Sequence, residues 1–287
     1  MTKANFKFER CDFTPLPDES PSKVTFMGDA IEIVTSQSTS GQNALSMIKR
    51  ISKSQYMRVD TGEVFEYNVS EQKADNTVSI KNSLKKLRRL IQTNFKEYES
   101  FFVTLTYSDE MRDFDKAVND YSKFYDNLKY HYRQYRLEYL RIIEPTESGT
   151  WHIHILLKSS ICKERFVIKL ETVQTLWQHG SAKVEQVYNV QGLAAYFCTY
   201  HSKKSLANMR KSKSKAKQMR WKYYPCGARI YAKSKGIAYP TTLDTIRGNV
   251  DQFLTGYIDN GKSSYKLTNK KRGNVIKIVN YEHYKKE

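Results

Sequence analysis

"LEYLRIIEPTESGTWHIHILLK", residues 137–158, decides the fold. Two apolar runs flank a polar break. Pro145 stops the first run, and "TESG" (146–149) is a turn signal. Residues 137–145 and 151–158 therefore read as two strands of an antiparallel hairpin. Side chains alternate faces along a strand. His152 and His154 point one way, while Ile153, Ile155 and Leu157 point the other way, into the core. On the first strand Leu140, Ile142 and Glu144 share a face. If the register holds the polar residues together, Glu144, His152 and His154 converge. On this reading the isoleucines anchor the strand and the histidines are displayed.

Two imidazoles and a carboxylate, with further positions open to water, suit a divalent cation such as Mg²⁺, Mn²⁺ or Zn²⁺. Open positions point to catalysis more than to structure. An HxH pair on a strand also arises by chance, and carboxylates also flank hairpins for solubility. The hairpin alone leaves both readings open.

Working outward, "FFVTLTY" (101–107) reads as a strand. Residues 114–136 read as a helix with Phe114, Val118, Tyr121 and Tyr125 down one side. A helix over 163–178, a strand over 182–189 and a helix over 190–204, capped by Asn189, follow. The order β-α-β-β-α-β-α predicts an α+β fold, an antiparallel sheet with helices packed on one face. Upstream, Ile80, Leu84, Leu87 and Ile91 have helical spacing in "VSIKNSLKKLRRLIQTNF" (78–95), and Asp60-Thr61-Gly62 marks a turn between two strands. Four regions result. Residues 1–45 are Ser/Thr/Pro-rich and read as a loosely ordered lead-in. Residues 46–204 form the main domain, 205–240 a basic segment, and 241–287 a short helix and a hairpin.

The chain has 287 residues, 39% hydrophobic and 13% aromatic, which excludes a disordered chain. Cys11, Cys162, Cys198 and Cys226 are scattered without a CxxC pair. That argues against a zinc finger or disulfide scaffold and fits a reducing cytoplasm. No apolar run approaches the ~18 residues of a membrane span, and no signal core opens the chain. The net charge is +18. Between Gln186 and Leu243 there are 12 Lys/Arg and no Asp or Glu. Such a stripe attracts polyphosphates by Coulomb force and counterion release. Trp221, Tyr223, Tyr224 and Tyr231 interleave it and could stack on unpaired bases. Lys204, Arg210, Lys211, Lys213, Lys215, Lys217, Arg220, Trp221, Lys222 and Arg229 are the candidate nucleic-acid contacts. The plain alternative is a solvated basic loop.

In "QGLAAYFCTYHSKK" (191–204), Tyr196 and Tyr200 stand at i and i+4, with Lys203 and Lys204 one turn on. A phenol with a pKa near 10 is a weak nucleophile. It can attack phosphorus when a metal polarises the phosphate and cations stabilise the phenolate. Among 21 tyrosines, such a pair is also ordinary helix packing.

The order of these parts resembles the HUH-superfamily endonucleases, specifically the rolling-circle replication initiators of bacterial plasmids and single-stranded DNA phages. "FFVTLTY" looks like that family's first motif and "HIH" its second. "YFCTYHSKK" is similar to its third, in the two-tyrosine form YxxxYxxK. "ARIYAKSKGIAYP" (228–240) resembles a tail motif of the plasmid and phage proteins. The resemblance implies that His152, His154 and Glu144 hold a divalent metal, Mg²⁺ or Mn²⁺. It implies Tyr200 as nucleophile, Tyr196 as second nucleophile, and Lys203 orienting the phosphate or phenolate. Thr199 stands where such helices often carry a Lys. The implied activity is nicking one strand of single-stranded or hairpin origin DNA, leaving a 5′-phosphotyrosine and a free 3′-OH, then rejoining. Host helicase and polymerase would be partners, in a bacterial cytoplasm and away from membranes. A conjugative relaxase or transposase of the same superfamily is the near alternative. A non-catalytic single-stranded nucleic-acid-binding protein is the alternative of a different class.

"GYIDNGKS" (256–263) matches the P-loop pattern letter for letter. A P-loop needs a buried strand before it and a helix after its Lys. Neither is readable here, and Gly256 and Gly261 read as turn residues.

Overall fold

The computed structural model describes residues 6–38, 48–52, 54–58, 62–66, 77–161, 166–198, 220–270 and 272–287. The chain divides into two compact units, Met1–Val69 with Pro240–Glu287, and Ser70–Tyr239.

In the first unit β1 (Phe6–Cys11), β2 (Pro21–Met27) and β3 (Ala30–Ser38) join the C-terminal strands β12 (Thr241–Ile246), β13 (Tyr257–Asn269) and β14 (Val275–Lys286). They form one antiparallel sheet of order β1-β13-β14-β3-β2-β12. Three short strands, β4 (Ile48–Arg50), β5 (Gln55–Arg58) and β6 (Val64–Glu66), make a separate small sheet. The loosely ordered lead-in expected over 1–45 is therefore corrected over 6–38. Its strands find their partners near the other end of the sequence, with Phe6 opposite Asn269. Their alternation is also blurred, because Ser22, Thr25, Glu32 and Thr35 are buried beside Val24, Ile31 and Ile33. Local pattern cannot supply such partners. The short helix expected after 241 is β12 and two 3₁₀ turns, while β13 and β14 are the expected hairpin. "DNGKS" lies inside β13, with Gly261 at a bulge, so the P-loop match is a coincidence of letters.

The second unit holds α1 (Thr77–Asn94), β7 (Ser100–Tyr107), α2 (Phe114–His131), β8 (Leu137–Pro145) and β9 (Trp151–Ser159). After them come α3 (Leu170–Leu176), β10 (Gly180–Gln186), α4 (Val190–Cys198) and β11 (Tyr231–Lys233). The five strands are antiparallel in the order β10-β7-β9-β8-β11. The α+β class holds, but the layering differs from the sequence reading, since helices cover both faces. On one face Phe114 of α2 meets Trp151, Tyr121 meets Tyr139, and Trp177 after α3 meets Tyr107. On the other face Leu84 and Leu87 of α1 and Phe197 of α4 close over Ile142. The reason is apolar content: Leu140, Ile142 and Leu156 share the histidine face and need cover as much as Ile153 and Ile155 do.

Local signals set the helix starts. The Asp113 side chain accepts from the Lys116 amide (2.9 Å), and Asn189 accepts from the Gly192 amide (2.6 Å). The helix expected over 114–136 ends at His131, because Arg136 takes a left-handed φ of 44° after a 3₁₀ turn. The helix expected over 163–178 is described only as α3.

Two predictions concern this frame. Gly180 opens β10 with a φ of 153°, and an added Cβ would overlap the Thr106 carbonyl oxygen and the Ser108 amide. Gly180→Ala should cost about 1–3 kcal/mol, read by urea denaturation; an unchanged midpoint would count against this docking of β10. The second concerns Asp120, which accepts from Lys116 Nζ (2.8 Å) and the Tyr107 hydroxyl (3.1 Å). Burial opposes its ionisation, but those hydrogen bonds and the nearby His179 outweigh burial and hold the carboxyl below its usual range. Its contribution is complete above the unfolded value of roughly 3.9 and is lost as pH falls through the folded one. Asp120→Asn should therefore flatten the acid-side decline in stability, and a decline as steep as the parent's would refute the pairing.

Candidate active site

The hairpin register brings the three predicted ligands onto one face. Glu144 pairs directly with His152, and Ile142 pairs with His154. The turn between them is closed by Thr146 N donating to Thr150 O (2.7 Å) and Gly149 N to Thr146 O (3.2 Å). Glu144 and His154 are both buried, at 7% and 8% exposure, whereas His152 is half-buried. The display of both histidines expected from the sequence is thus corrected for His154. Its ring is stacked on Phe102 (5.4 Å between centroids) and meets the edge of Phe197 (5.5 Å).

Thr104 of β7, directly opposite His154, hydrogen-bonds its Nδ1 at 3.1 Å. That bond orients the ring and leaves Nε2 facing Glu144, whose Oε2 is 3.9 Å away. Two donors about 2.1 Å from a common ion stand up to about 4.2 Å apart. The Glu144–His154 pair therefore fits a divalent cation in chemistry and in spacing. Burial holds the His152 pKa below the usual imidazole range; Glu144 opposes that shift and Arg220 adds to it. A neutral imidazole is the form that binds metal. The full set is not closed: among the described residues no three His, Cys, Asp or Glu side chains are drawn together as a metal site. Instead Arg220 reaches Glu144 Oε1 (3.4 Å) and Glu147 Oε1 (3.4 Å) with its two terminal nitrogens. Its positive charge stands next to the carboxylate that would serve an ion.

The tyrosine helix arrives on the same face. α4 lays Phe197 on His154 and Phe102, and Cys198 donates to the Leu84 carbonyl of α1 (3.2 Å). Tyr196, one residue before Phe197, is 46% exposed and lines an open cleft with Phe102, Tyr188 and Leu193. Tyr200, Lys203, Lys204, Arg210, Lys211, Lys213, Lys215 and Lys217 lie outside the described residues.

Of the remaining basic candidates, Lys222 and Arg229 are exposed and available to a polyanion. Arg220 is committed to the two glutamates. Trp221 is corrected: it is buried at 7% and stacked on Tyr224 (5.1 Å), itself buried and bonded to the Ile143 carbonyl (2.6 Å). An indole's apolar area favours packing on the β8 edge over stacking on a base, whatever charges adjoin it. Sequence reasoning missed Thr104 and the pairing role of Arg220. Thr104 was findable, since Thr104 and Thr106 alternate with Val103, Leu105 and Tyr107 and so mark the polar face of β7. Arg220 was not, because 76 residues separate it from Glu144.

Residues 100–205, from β7 through α4, match the model of a family of replication-associated proteins, the open-reading-frame-2 and gene-2 protein family. Over this region the chain is similar to replication-associated proteins. That similarity supports a replication initiator with DNA as its partner. No curated protein and no solved structure matches the chain. Among the described residues no helix is long and apolar enough to cross a membrane.

The Arg220–Glu144 contact gives a measurable coupling. Arg220→Ala leaves a buried carboxylate short of its counter-charge and should cost about 1–3 kcal/mol. In a Glu144→Gln background the same change should cost less, which a double-mutant cycle in urea resolves. Equal costs in both backgrounds would mean the pair does not interact.

Proposed function

We propose that this protein initiates replication by nicking one DNA strand through tyrosine attack on a phosphodiester. One observation carries the reading: α4, the helix that begins the tyrosine motif, packs through Phe197 onto His154, with Glu144 across the strand pair. Candidate nucleophile helix and candidate ligand set share one face of one sheet. His152, His154 and Glu144 would hold a divalent cation, Mg²⁺ or Mn²⁺, which supplies Lewis-acid polarisation of the scissile phosphate.

The chain's own residues do the rest. Thr104 fixes the tautomer and angle of His154. Phe102 and Phe197 exclude water from one side of that ring. Arg220 balances Glu144 when no other cation does. A tyrosine of the motif, Tyr200 first and Tyr196 second, attacks phosphorus through its phenolate oxygen. The O3′–P bond breaks, the 3′ oxygen leaves and takes up a proton, and the 5′-phosphate stays on the tyrosine. Lys203 stabilises the phenolate or the phosphate charge. A second transfer reverses the bond changes and rejoins the strand.

The test is a denaturing gel with a labelled single-stranded origin oligonucleotide. A covalent adduct should form with Mg²⁺ or Mn²⁺ and vanish with EDTA. Tyr200→Phe should cut it by about 100-fold or more, and the double change with Tyr196→Phe should abolish it. His154→Ala should abolish it while leaving DNA binding in place. Cleavage by the double tyrosine variant, or indifference to EDTA, would defeat the mechanism. A chain that shifts DNA yet never forms an adduct is a binding protein instead.

A further inference from the structure

A second cleft lies on the histidine face of the same sheet, outside the candidate active site. One wall is Ser83 of α1, and the other is the 227–233 segment running into β11, with Tyr239 at the lip. Its volume is about 360 Å³, in the size range of small-ligand sites. That admits a nucleotide of an unpaired strand and is too small for a duplex. Arg229 and Lys233 line it, and no Asp or Glu is among its described lining residues. Tyr239 is 69% exposed, and Lys233 Nζ stands 4.7 Å from its ring centroid. An exposed ring with a cation beside it is a stacking platform for a base.

The walls are pre-set. Asn94 at the end of α1 donates to the Ala238 carbonyl (2.8 Å) and accepts from the Ala238 amide (2.8 Å). Lys233 donates to the Ile237 carbonyl (2.6 Å). These bonds hold the turn that carries Tyr239 against α1.

The sheet register relates the cleft to the site. Tyr231 pairs with Ile142, Ile142 with His154, and His154 with Thr104, so all four share one row on one face. Two strand spacings separate Tyr231 from His154, about 10 Å. A strand seated in the cleft therefore has its neighbouring nucleotides within reach of the imidazoles.

We infer that the cleft between α1 and β11 seats the unpaired DNA strand next to the cleaved phosphate, with Tyr239 stacking on a base and Arg229 and Lys233 meeting the backbone. The inference deepens the nicking proposal and takes its occupant from it. Single-stranded DNA is favoured over duplex by the exposed ring and the narrowness of the cleft.

The experiment uses the full chain and a fluorescein-labelled single strand of about 20 nucleotides, long enough to span one such groove, with the matching duplex as control, read by anisotropy over a salt series. Tyr239→Ala should weaken single-strand binding about fivefold or more and leave duplex binding unchanged. Tyr239→Phe should restore it. Arg229→Ala should reduce the slope of log K against log salt by about 0.7. A 5-iodouracil-substituted strand should photo-crosslink to Tyr239 or Tyr231, located by mass spectrometry. Melting temperatures of these exposed-site variants should match the parent, which excludes misfolding. Unchanged affinity and salt slope in Tyr239→Ala and Arg229→Ala, with crosslinks only elsewhere, would overturn the cleft even if the parent forms the tyrosine adduct. If the parent forms no adduct but Tyr239→Ala still loses affinity, the cleft stands and the nicking reading falls.

Discussion

The antiparallel pairing of β8 with β9 is the constraint on which the rest depends. It sets Glu144 opposite His152 and Ile142 opposite His154. Because side chains alternate along a strand, a slip of one residue would turn both histidines into the aromatic layer under α2. Several features resist that slip. Trp151, Ile153, Ile155 and Leu157 are all buried on the α2–α3 side, so any other register would bring the polar set among them. The five-residue turn is closed by its own hydrogen bonds, and β7 repeats the same parity on the other side of β9.

The second consequence is a site whose two halves meet different environments. His154 lies under Phe102 and Phe197, dry and oriented by Thr104. His152, two residues back along the strand, remains half-exposed. Glu144 is buried with Arg220 as its neighbour, and a lone buried carboxylate would be costly without one. The arrangement gives the carboxylate a cationic partner from the chain itself. That partner directly follows the basic stretch after the tyrosine helix, so the charge balance at Glu144 is tied to the segment most able to engage DNA.

The covering of both sheet faces also explains the distribution of aromatic residues. In a strongly basic segment, Trp221 and Tyr224 are core residues on the β8 edge, while Tyr239 keeps its ring in solvent beside Lys233. Being aromatic and flanked by Lys or Arg does not separate these cases. Position relative to an unfilled sheet edge does.

Much was legible from period and punctuation. The β8–β9 hairpin, its common polar face, the apolar stripe of α1, the Asn189 cap and the α+β class follow from short-range rules acting within a few residues. The candidate site was half legible, since the parity that aligns Glu144, His152 and His154 is local to one hairpin. The rest depended on partners far apart in the chain. β1 pairs with β13 across most of the sequence, β11 completes the sheet from beyond the basic run, Arg220 reaches back to Glu144, and α4 buries His154. No local pattern encodes such contacts, because they are selected by which apolar faces and charges remain unsatisfied once the elements have formed. The sequence by itself determined which residues share a face; only the tertiary structure decided which of them are covered, and by what.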